Sequence, residues 1–401
     1  MRRNMLVGGA ALVTILSLAL SGCGQSGKPA STQGGSEQAA QKEESGEEII
    51  KFAIASPVTG DSAEYGVHFN VGAQIAADHI NADGGINGKK LVVESFDSKN
   101  DAKEATEVAR LIAQDSEIMA TMGDFSSTCC MATAPIYEEN KMVQLSPSAG
   151  LIDFPRVGPY NFSITGVQED DGPFLINRVI KETMGAESYA MVYTNNDFGL
   201  NMLKYMSEEA DRLGIKVTDT EAVASGEKDY TAIVSKMRQT NPEAVVIVAN
   251  YNEVANCVKQ IRQVGWDVPV VISGSALTDQ LIELLGDEVN GIYSNIAFVP
   301  SDDDPVTSDF TKEFTERAEM PPSVHNVSSY DAVCLLAEAA KKCGDNLSRE
   351  TLRDALAGYE GFEGLMGPIN FTEDGAVHRG YKVVQYQDGV LTAVSDYMLA
   401  H

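Results

Sequence analysis

Two serines stand at a predicted strand-to-helix turn. An apolar strand is predicted over Ile118–Met122, and Ser126 and Ser127 open a helix that runs to about Asn140. The first N–H groups of a helix have no intrahelical acceptor, and together with hydroxyl groups they form a cradle for an anion. This pattern favours the binding of a carboxylate. A serine in this place is also a common helix N-cap, and that simpler interpretation stays open.

A second turn of small residues follows the next strand. That strand is predicted over residues 142–145 and ends in the sequence SPSAG at residues 146–150. Ser148, Ala149 and Gly150 of this turn are candidates for binding, although Ser-Pro is also an ordinary turn sequence. Both turns follow the carboxyl ends of predicted parallel strands, where open α/β sheets bind their ligands.

The rest of the chain alternates predicted strands and helices. About ten such units indicate an α/β fold with parallel sheets, and they are too many for one compact open sheet. At 401 residues the chain is long enough for two domains. In the first unit a loop is predicted to end at Gly66, so that Tyr65 precedes a helix over residues 67–82.

The charge balance excludes one class of partner. Lys and Arg number 30 against 58 Asp and Glu, which gives a formal net charge of −28. Such a chain has no excess of cations to neutralise phosphates, so a nucleic-acid partner is not expected. The acidic balance suits a solvated protein surface.

Residues 1–22 have the pattern of a targeting segment. Arg2 and Arg3 precede an apolar stretch of about 16 residues, which is too short for a comfortable membrane span. The stretch ends in LSGC at residues 20–23, which resembles the bacterial lipoprotein signal and implies a lipid on Cys23. Residues 23–48 are rich in Gly, Ser, Gln and Glu, as in a flexible tether. We therefore expect an extracytoplasmic protein anchored by lipid to the outer face of the cytoplasmic membrane.

Motifs of catalysis and of metal binding are missing from the sequence. The histidines show no metal-ligand spacing, and neither a G-x-S-x-G nucleophile elbow nor a G-x-x-x-x-G-K-[ST] phosphate loop occurs. The one G-x-G-x-x-G, at residues 22–27, overlaps the lipidation cysteine and follows no strand of the folded body. We expect neither enzymatic activity nor a cofactor or metal. The sequence leaves open whether Cys334 and Cys343 form a disulfide.

Several short motifs, in one order along the chain, resemble a single family. They are NADGGINGKKL at 81–91, DFSS at 124–127, SPSA at 146–149, NDFG at 196–199, SGEKDY at 225–230 and GPINF at 367–371. From about Ile49 to its end the chain resembles the branched-chain amino-acid (leucine/isoleucine/valine)-binding proteins, which serve ABC importers. The resemblance implies a type I periplasmic-binding-protein fold of two Rossmann-like lobes, with three hinge crossovers and a ligand cleft between them.

The family pattern also predicts how the chain is divided. Lobe one is predicted to comprise residues 49–167 together with 298–382. Lobe two is predicted to comprise residues 168–297 together with 383–401. The lobes are expected to close around the ligand.

The resemblance implies which residues hold the ligand carboxylate. The family uses the serine after the first strand, here Ser127 beside Ser126, and groups of the later turn, here Ser148, Ala149 and Gly150. Gly150 stands where the family usually has a hydroxyl residue, so one donor fewer is expected.

Further pocket positions are implied in both lobes. Tyr65 matches a pocket tyrosine of lobe one. Phe198 and Asn250 stand where the family has pocket tyrosines in lobe two.

The residues expected to bind the α-ammonium group of the ligand depart most from the family pattern. An α-amino group needs a buried acceptor, normally a carboxylate. Gln168 and Ser275 carry no charge at the positions where the family places an acid. Four acids are candidate substitutes: Asp170, Asp197, Glu253 and Asp279. Otherwise the ligand lacks a free ammonium and is an aromatic or aliphatic carboxylate, or an amide.

With this resemblance, the sequence predicts a monomeric solute-binding lipoprotein. We expect it to capture a small carboxylate-bearing solute, an amino acid of the branched-chain type, and to deliver it to an ABC permease of the branched-chain type. One alternative is a ligand sensor of the same fold that acts on a signalling partner. Another is a binder of a non-amino carboxylate or an amide.

Overall fold

The computed structural model describes residues 48–298 and 305–399. The predicted signal peptide, Cys23 and the tether up to residue 47 lie outside the described residues. None of the helices within the two described ranges is long and apolar enough to cross a membrane.

Five parallel strands form the first sheet, in the order β2-β1-β3-β4-β5. The strands are β1 Ile49–Ser56, β2 Lys90–Asp97, β3 Ile118–Met122, β4 Val143–Ser146 and β5 Asn161–Ser163. The connecting helices are α1 Ala63–Ala82, α2 Ala102–Gln114 and α3 Ser127–Glu139. Because β3 and β4 are neighbours, the two turns of small residues that follow them lie side by side.

Seven strands form the second sheet, in the order β14-β13-β10-β9-β8-β6-β7. The strands are β6 Ser188–Thr194, β7 Lys216–Val223, β8 Ala244–Val248, β9 Val270–Ile272, β10 Tyr293–Ile296, β13 Lys382–Gln387 and β14 Val390–Ala393. The helices of this part are α4 Gln168–Phe174, α5 Asp197–Leu213, α6 Thr231–Gln239, α7 Tyr251–Gln263 and α8 Asp279–Leu285. A π-helical segment, Leu175–Thr183, continues α4. Strand β8 is buried along its whole length, as expected for an apolar strand inside a parallel sheet.

The chain returns to the first sheet after β10. The returning helices are α9 Pro305–Ala318, α10 Val324–Cys343 and α11 Arg349–Ala357. They are followed by a short hairpin of β11 Phe362–Gly364 and β12 Gly367–Ile369. Helix α10 packs along α1, and α11 packs on β3 and β4. We call the first sheet with α1–α3 and α9–α11 lobe one, and the second sheet with α4–α8 lobe two. The residue boundaries given above for the lobes stay a prediction.

One predicted element boundary is wrong. The loop expected to end at Gly66 ends earlier, because α1 begins at Ala63 and places Tyr65 in its first turn. Gly66 serves close packing instead of breaking the helix: a Cβ there would lie 1.8 Å from the carbonyl oxygen of Pro57. By contrast, β3, α3 and β4 follow the predicted strand, helix and strand closely.

The cysteines of the described residues are free thiols. Cys334 and Cys343 both lie on α10 and form no disulfide. No disulfide therefore joins the helices of the described residues.

Candidate functional site

Two cavities lie between the lobes and share four lining residues: Ser148, Phe198, Ser275 and His325. The first, of about 120 Å³, reaches the start of α3, and we call it the Ser127 cavity. The second, of about 80 Å³, reaches the start of α4, and we call it the Asp171 cavity. The shared walls make the two cavities parts of one cleft.

The start of α3 supplies unpaired donors to this cleft. Ser126 is the N-cap, and its Oγ accepts the Cys129 N–H at 3.3 Å. The first backbone bond of the helix runs from the Cys130 N–H to the Ser126 carbonyl, so the N–H groups of Ser127 and Thr128 have no intrahelical acceptor. The Ser127 side chain is only 3% exposed, and its hydroxyl has no partner within residues 48–298 and 305–399. These donors line the cleft at the place where the sequence predicts an anion cradle, and anion binding there stays a prediction.

In the turn at residues 146–150, the Ser148 hydroxyl and the Ala149 N–H donate hydrogen bonds within the protein. The Ser148 hydroxyl donates to the carbonyl oxygen of Phe125 at 2.6 Å, so its oxygen can accept a hydrogen bond but has no hydrogen left for a carboxylate. The Ala149 N–H donates to Ser146 Oγ at 2.9 Å, and Ala149 lines neither cavity. Ser148 lines both cavities, and the assignment of Ser148 and Ala149 to the ligand carboxylate stays a prediction.

Gly150 lines the Asp171 cavity. A Cβ at this position would lie 2.9 Å from the carbonyl oxygen of Gly166 and 3.2 Å from Cγ of Gln168. The close approach of the Gly166 backbone and the Gln168 side chain leaves little room for a side chain at this position.

Tyr65 forms hydrogen bonds between the two lobes and lines neither cavity. Its side chain is fully buried, and its ring stacks on Phe125 with 4.1 Å between the centroids. The hydroxyl donates to the Ser275 carbonyl oxygen at 3.1 Å and accepts the Tyr251 N–H at 3.3 Å. Both partners are backbone groups of lobe two, so the expected pocket tyrosine contributes to the contact between the lobes.

The remaining predicted residues lie on the cleft wall. Phe198 and Ser275 line both cavities, Gln168 lines the Asp171 cavity, and Asn250 lines the Ser127 cavity. The Gln168 amide is used within lobe two, because Nε2 donates to the Phe198 carbonyl at 3.2 Å and Oε1 accepts from Asn201 at 2.7 Å. Gln168 therefore lines the cleft with its amide nitrogen and its amide oxygen both hydrogen-bonded within lobe two.

The four acids proposed as partners for an ammonium line neither cavity. Asp170 binds His378 Nδ1 at 2.9 Å, Glu253 accepts the Gly226 N–H at 2.9 Å, and Asp197 is exposed. Asp279 lines a different, mostly apolar cavity.

The carboxylate that does line the cleft is Asp171, which sequence reasoning missed. It lies three residues after Gln168 on α4, and residues at this spacing share a helix face. That spacing is the signal that could have found it. Burial raises the pKa of the Asp171 carboxyl to about 6.

His325 is a second residue that the sequence did not reveal. It lies far along the chain, in the first turn of α10. Its side chain is 4% exposed and lines both cavities. Its Nε2 lies 3.2 Å from the Ser275 carbonyl oxygen, which can only accept, so Nε2 carries the hydrogen. Burial lowers the pKa of this imidazole to about 4, so the ring is uncharged at neutral pH.

Glu64 faces the start of α8 across the cleft. Its Oε1 accepts the Gln280 N–H at 3.5 Å, while Asp279 and Glu283 add like charge nearby. Burial is the main cause that raises the pKa of Glu64 to about 7. His68 Nε2 lies 3.7 Å away, but burial lowers the pKa of His68 to about 3, so it offers no charge at neutral pH.

Glu64→Gln should therefore stabilise the ligand-free protein in a pH-dependent way. A carboxyl whose pKa is raised on folding destabilises the folded state when ionised. This cost declines as the pH falls through 7, towards the unfolded value of 4.5. We expect the variant to unfold on the order of 2 °C higher at pH 8 and at nearly the wild-type temperature at pH 5. Scanning calorimetry at both pH values tests this, with the exposed Glu363→Gln as control; an equal shift at both would contradict it.

A family described as periplasmic binding protein matches residues 49–390. The chain is similar to Leu/Ile/Val-binding protein homolog 1 of Brucella abortus, with 26% identity over 341 residues, 85% of this chain and 91% of that protein. The relatives of this kind are named as binding proteins, in agreement with the expected lack of catalysis.

Solved structures share the whole fold. The branched-chain amino acid transporter substrate binding protein LivJ from Streptococcus pneumoniae, in complex with isoleucine, is 25% identical with a TM-score of 0.82 and covers 88% of this chain and 100% of its own. A solute binding protein of an ABC transporter from R. palustris, in complex with benzoate, has a TM-score of 0.80 at 19% identity, covering 88% of this chain and 96% of its own. The latter likeness shows the fold alone.

These findings confirm the predicted type I fold and the resemblance drawn from the short motifs. The match spans the first sheet, the cleft and the second sheet up to the start of β14. The chain therefore belongs to the periplasmic binding protein family, whose members bind small solutes outside the cytoplasm.

Proposed function

We propose that the protein captures an α-amino acid of the branched-chain type in the interlobe cleft and delivers it to an ABC permease. The observation that carries the proposal is the set of unpaired donors at the start of α3. The Ser127 hydroxyl and the N–H groups of Ser127 and Thr128 meet at one wall of the cleft. An α-carboxylate satisfies all of them.

The walls beside the cradle suit an aliphatic side chain. Phe125 and Phe198 line the Ser127 cavity, and the uncharged ring of His325 stands beside Phe125 with 5.8 Å between the centroids. Apolar contact with these rings removes the ligand side chain from water. The names of the relatives, which refer to leucine, isoleucine and valine, support the same choice.

Closure of the lobes completes the site. Side chains of one lobe bond to backbone groups of the other: Tyr65 to Ser275, and Asn252 to the Asp61 carbonyl at 2.9 Å. A ligand that binds between the lobes favours this closed arrangement, and the permease distinguishes it from the open one.

The lipid anchor belongs to the same proposal. A lipid on Cys23 and the tether of residues 23–48 would keep the protein near its permease. We also expect the protein to be a monomer. Mass spectrometry of the membrane-extracted protein tests the anchor, and an unmodified Cys23 would contradict it.

A second candidate ligand is a carboxylate without an amino group. The uncharged Gln168 and Ser275 favour it, because both stand where an acid is usual in amino-acid binders. The R. palustris protein of similar fold was crystallised with benzoate. In this alternative the ligand carboxylate still binds at the start of α3, but no ammonium group needs an acceptor.

A thermal-shift screen of the purified protein separates these ligands. Ligands that bind the folded form raise the unfolding temperature by mass action. We expect leucine, isoleucine and valine to give larger shifts than 4-methylpentanoate and benzoate at equal concentration. Shifts from the non-amino carboxylates alone would overturn the amino-acid proposal.

A further inference from the structure

The Asp171 cavity contains an acid whose second oxygen is unused. Asp171 is the one carboxylate among the described residues that line the two connected cavities. Its Oδ1 accepts from Asn295 Nδ2 at 2.5 Å, while Oδ2 has no partner in the described ranges. An ionised carboxylate with an unsatisfied oxygen in a confined space favours a cationic partner.

The acid is held in a fixed orientation. Asn295 Oδ1 accepts the Gly274 N–H at 3.2 Å, which directs the amide NH₂ group towards Asp171. Two other polar residues of the cavity do not compete for the free oxygen. Gln168 uses both ends of its amide elsewhere, and Ser148 uses its hydrogen on Phe125.

We propose that Asp171 Oδ2 binds the α-ammonium group of the ligand, with Ser148 Oγ as a second acceptor. This inference rests on the proposed function, since it requires an amino acid as ligand. Asp171 and Asn295 belong to lobe two, whereas Ser127 and Ser148 belong to lobe one. A zwitterion held at both ends therefore bridges the lobes and couples its binding to their closure.

A purely structural role for Asp171 can be separated from this one. An acid in the first turn of α4 also stabilises the helix through its dipole. Asp170, the preceding residue, has the same helical advantage, but its carboxylate binds His378 and does not line the cavity. Asp170→Asn is therefore a matched control for Asp171→Asn.

Among the described residues that line the Asp171 cavity, Asp171 is the group whose charge changes near pH 6. Burial also raises the pKa of Asp170 and of Glu64, but neither residue lines this cavity. Asp170 precedes it in the helix, and Tyr381 and His325 line the same cavity. Burial holds the pKa of the Tyr381 hydroxyl well above its usual value, and His325 is uncharged. Asp171 must lose its proton to bind an ammonium, so affinity for an amino acid should fall as the pH drops below about 6.

The test measures leucine and 4-methylpentanoate binding by calorimetry for three proteins: wild type, Asp171→Asn and Asp170→Asn. We expect Asp171→Asn to weaken leucine binding by at least about 30-fold, since truncating one partner of a buried charge pair costs at least about 2 kcal/mol. Binding of 4-methylpentanoate should be unchanged or tighter. Asp170→Asn should bind leucine within about threefold of wild type.

Thermal unfolding of each ligand-free protein is measured in parallel, so that a loss of binding by Asp171→Asn can be told apart from a loss of folding. Asn removes a buried charge, so Asp171→Asn should unfold at no lower temperature than wild type at pH 7.5. The pH profile of leucine binding should lose its fall below pH 6 in this variant alone.

The outcomes distinguish the two proposals. If wild type binds leucine and Asp171→Asn binds it equally well, the assignment of Asp171 is wrong and the proposed function stands. If wild type binds 4-methylpentanoate at least as tightly as leucine, the amino-acid function itself is overturned, and the assignment of Asp171 with it.

Discussion

Replacing Ser127 by aspartate is expected to abolish binding of leucine, with an affinity loss of about 1000-fold. Ser127 is the first residue of α3, and its hydroxyl lines the cleft. A carboxylate there occupies the anion cradle with the protein's own charge. Two like charges about 4 Å apart near a protein surface repel by about 4 kcal/mol, which corresponds to this loss.

The same substitution is not expected to destabilise the fold. An acid in the first turn of a helix interacts favourably with the helix dipole. Ser127→Asp should therefore unfold at or above the wild-type temperature without ligand. Ser127→Ala should weaken leucine binding by about 10- to 100-fold, since it removes one charge-assisted hydrogen bond and leaves the N–H groups.

Ser126→Ala is the matched control for this position. Its hydroxyl caps the helix by accepting the Cys129 N–H. Losing the cap should reduce the free energy of unfolding by about 1 kcal/mol, while leucine affinity changes by only about threefold. Calorimetric titration and thermal unfolding measure both quantities. Leucine binding by Ser127→Asp within tenfold of wild type would show that the carboxylate binds elsewhere.

Tyr65→Phe is expected to weaken binding of every ligand by a common factor of about 30. The hydroxyl makes two bonds to backbone groups of lobe two, at Ser275 and Tyr251. Each contributes about 1 kcal/mol to the closed arrangement, and its loss shifts the lobes towards the open one. Tyr65 does not line the cavities, so the loss should be equal for leucine, isoleucine and valine.

Tyr230→Phe makes the same chemical change without this contact. Tyr230 is buried in lobe two, and its hydroxyl has no partner in the described part of the chain. The control should bind leucine as wild type does. Small-angle scattering should show that the leucine-bound Tyr65→Phe protein is more open at limiting ligand. A loss that differs between the three amino acids would instead indicate direct contact between Tyr65 and the ligand.

Local patterns in the sequence predict the fold and the strand, turn and helix that carry Ser126 and Ser127. The strand, serine pair and helix of β3 and α3 depend on residues close together in the chain, so period and capping signals suffice. The predicted start of α1 is wrong because glycine is typical of turns, and Gly66 therefore predicts a turn. Glycine is needed there because the Pro57 backbone lies close to it, and this contact cannot be inferred from the neighbouring sequence.

The hydrogen-bond partners of the side chains in the cleft could not be predicted in this way. Whether Ser148 donates to a ligand or to Phe125 depends on two separate turns meeting in space. Asp171 and His325 reach the cleft through packing of α4 and α10 against distant elements, and neither follows a strand directly. The sequence therefore predicted where the cleft is, but it did not predict which acid lies in it.

The most direct test of the account is a crystal structure of the protein with L-isoleucine. We expect the ligand carboxylate on the Ser127 hydroxyl and the N–H groups of Ser127 and Thr128, with the ammonium facing Asp171 across the cleft. An isoleucine with its carboxylate away from the start of α3, or bound outside the interlobe cleft, would contradict it.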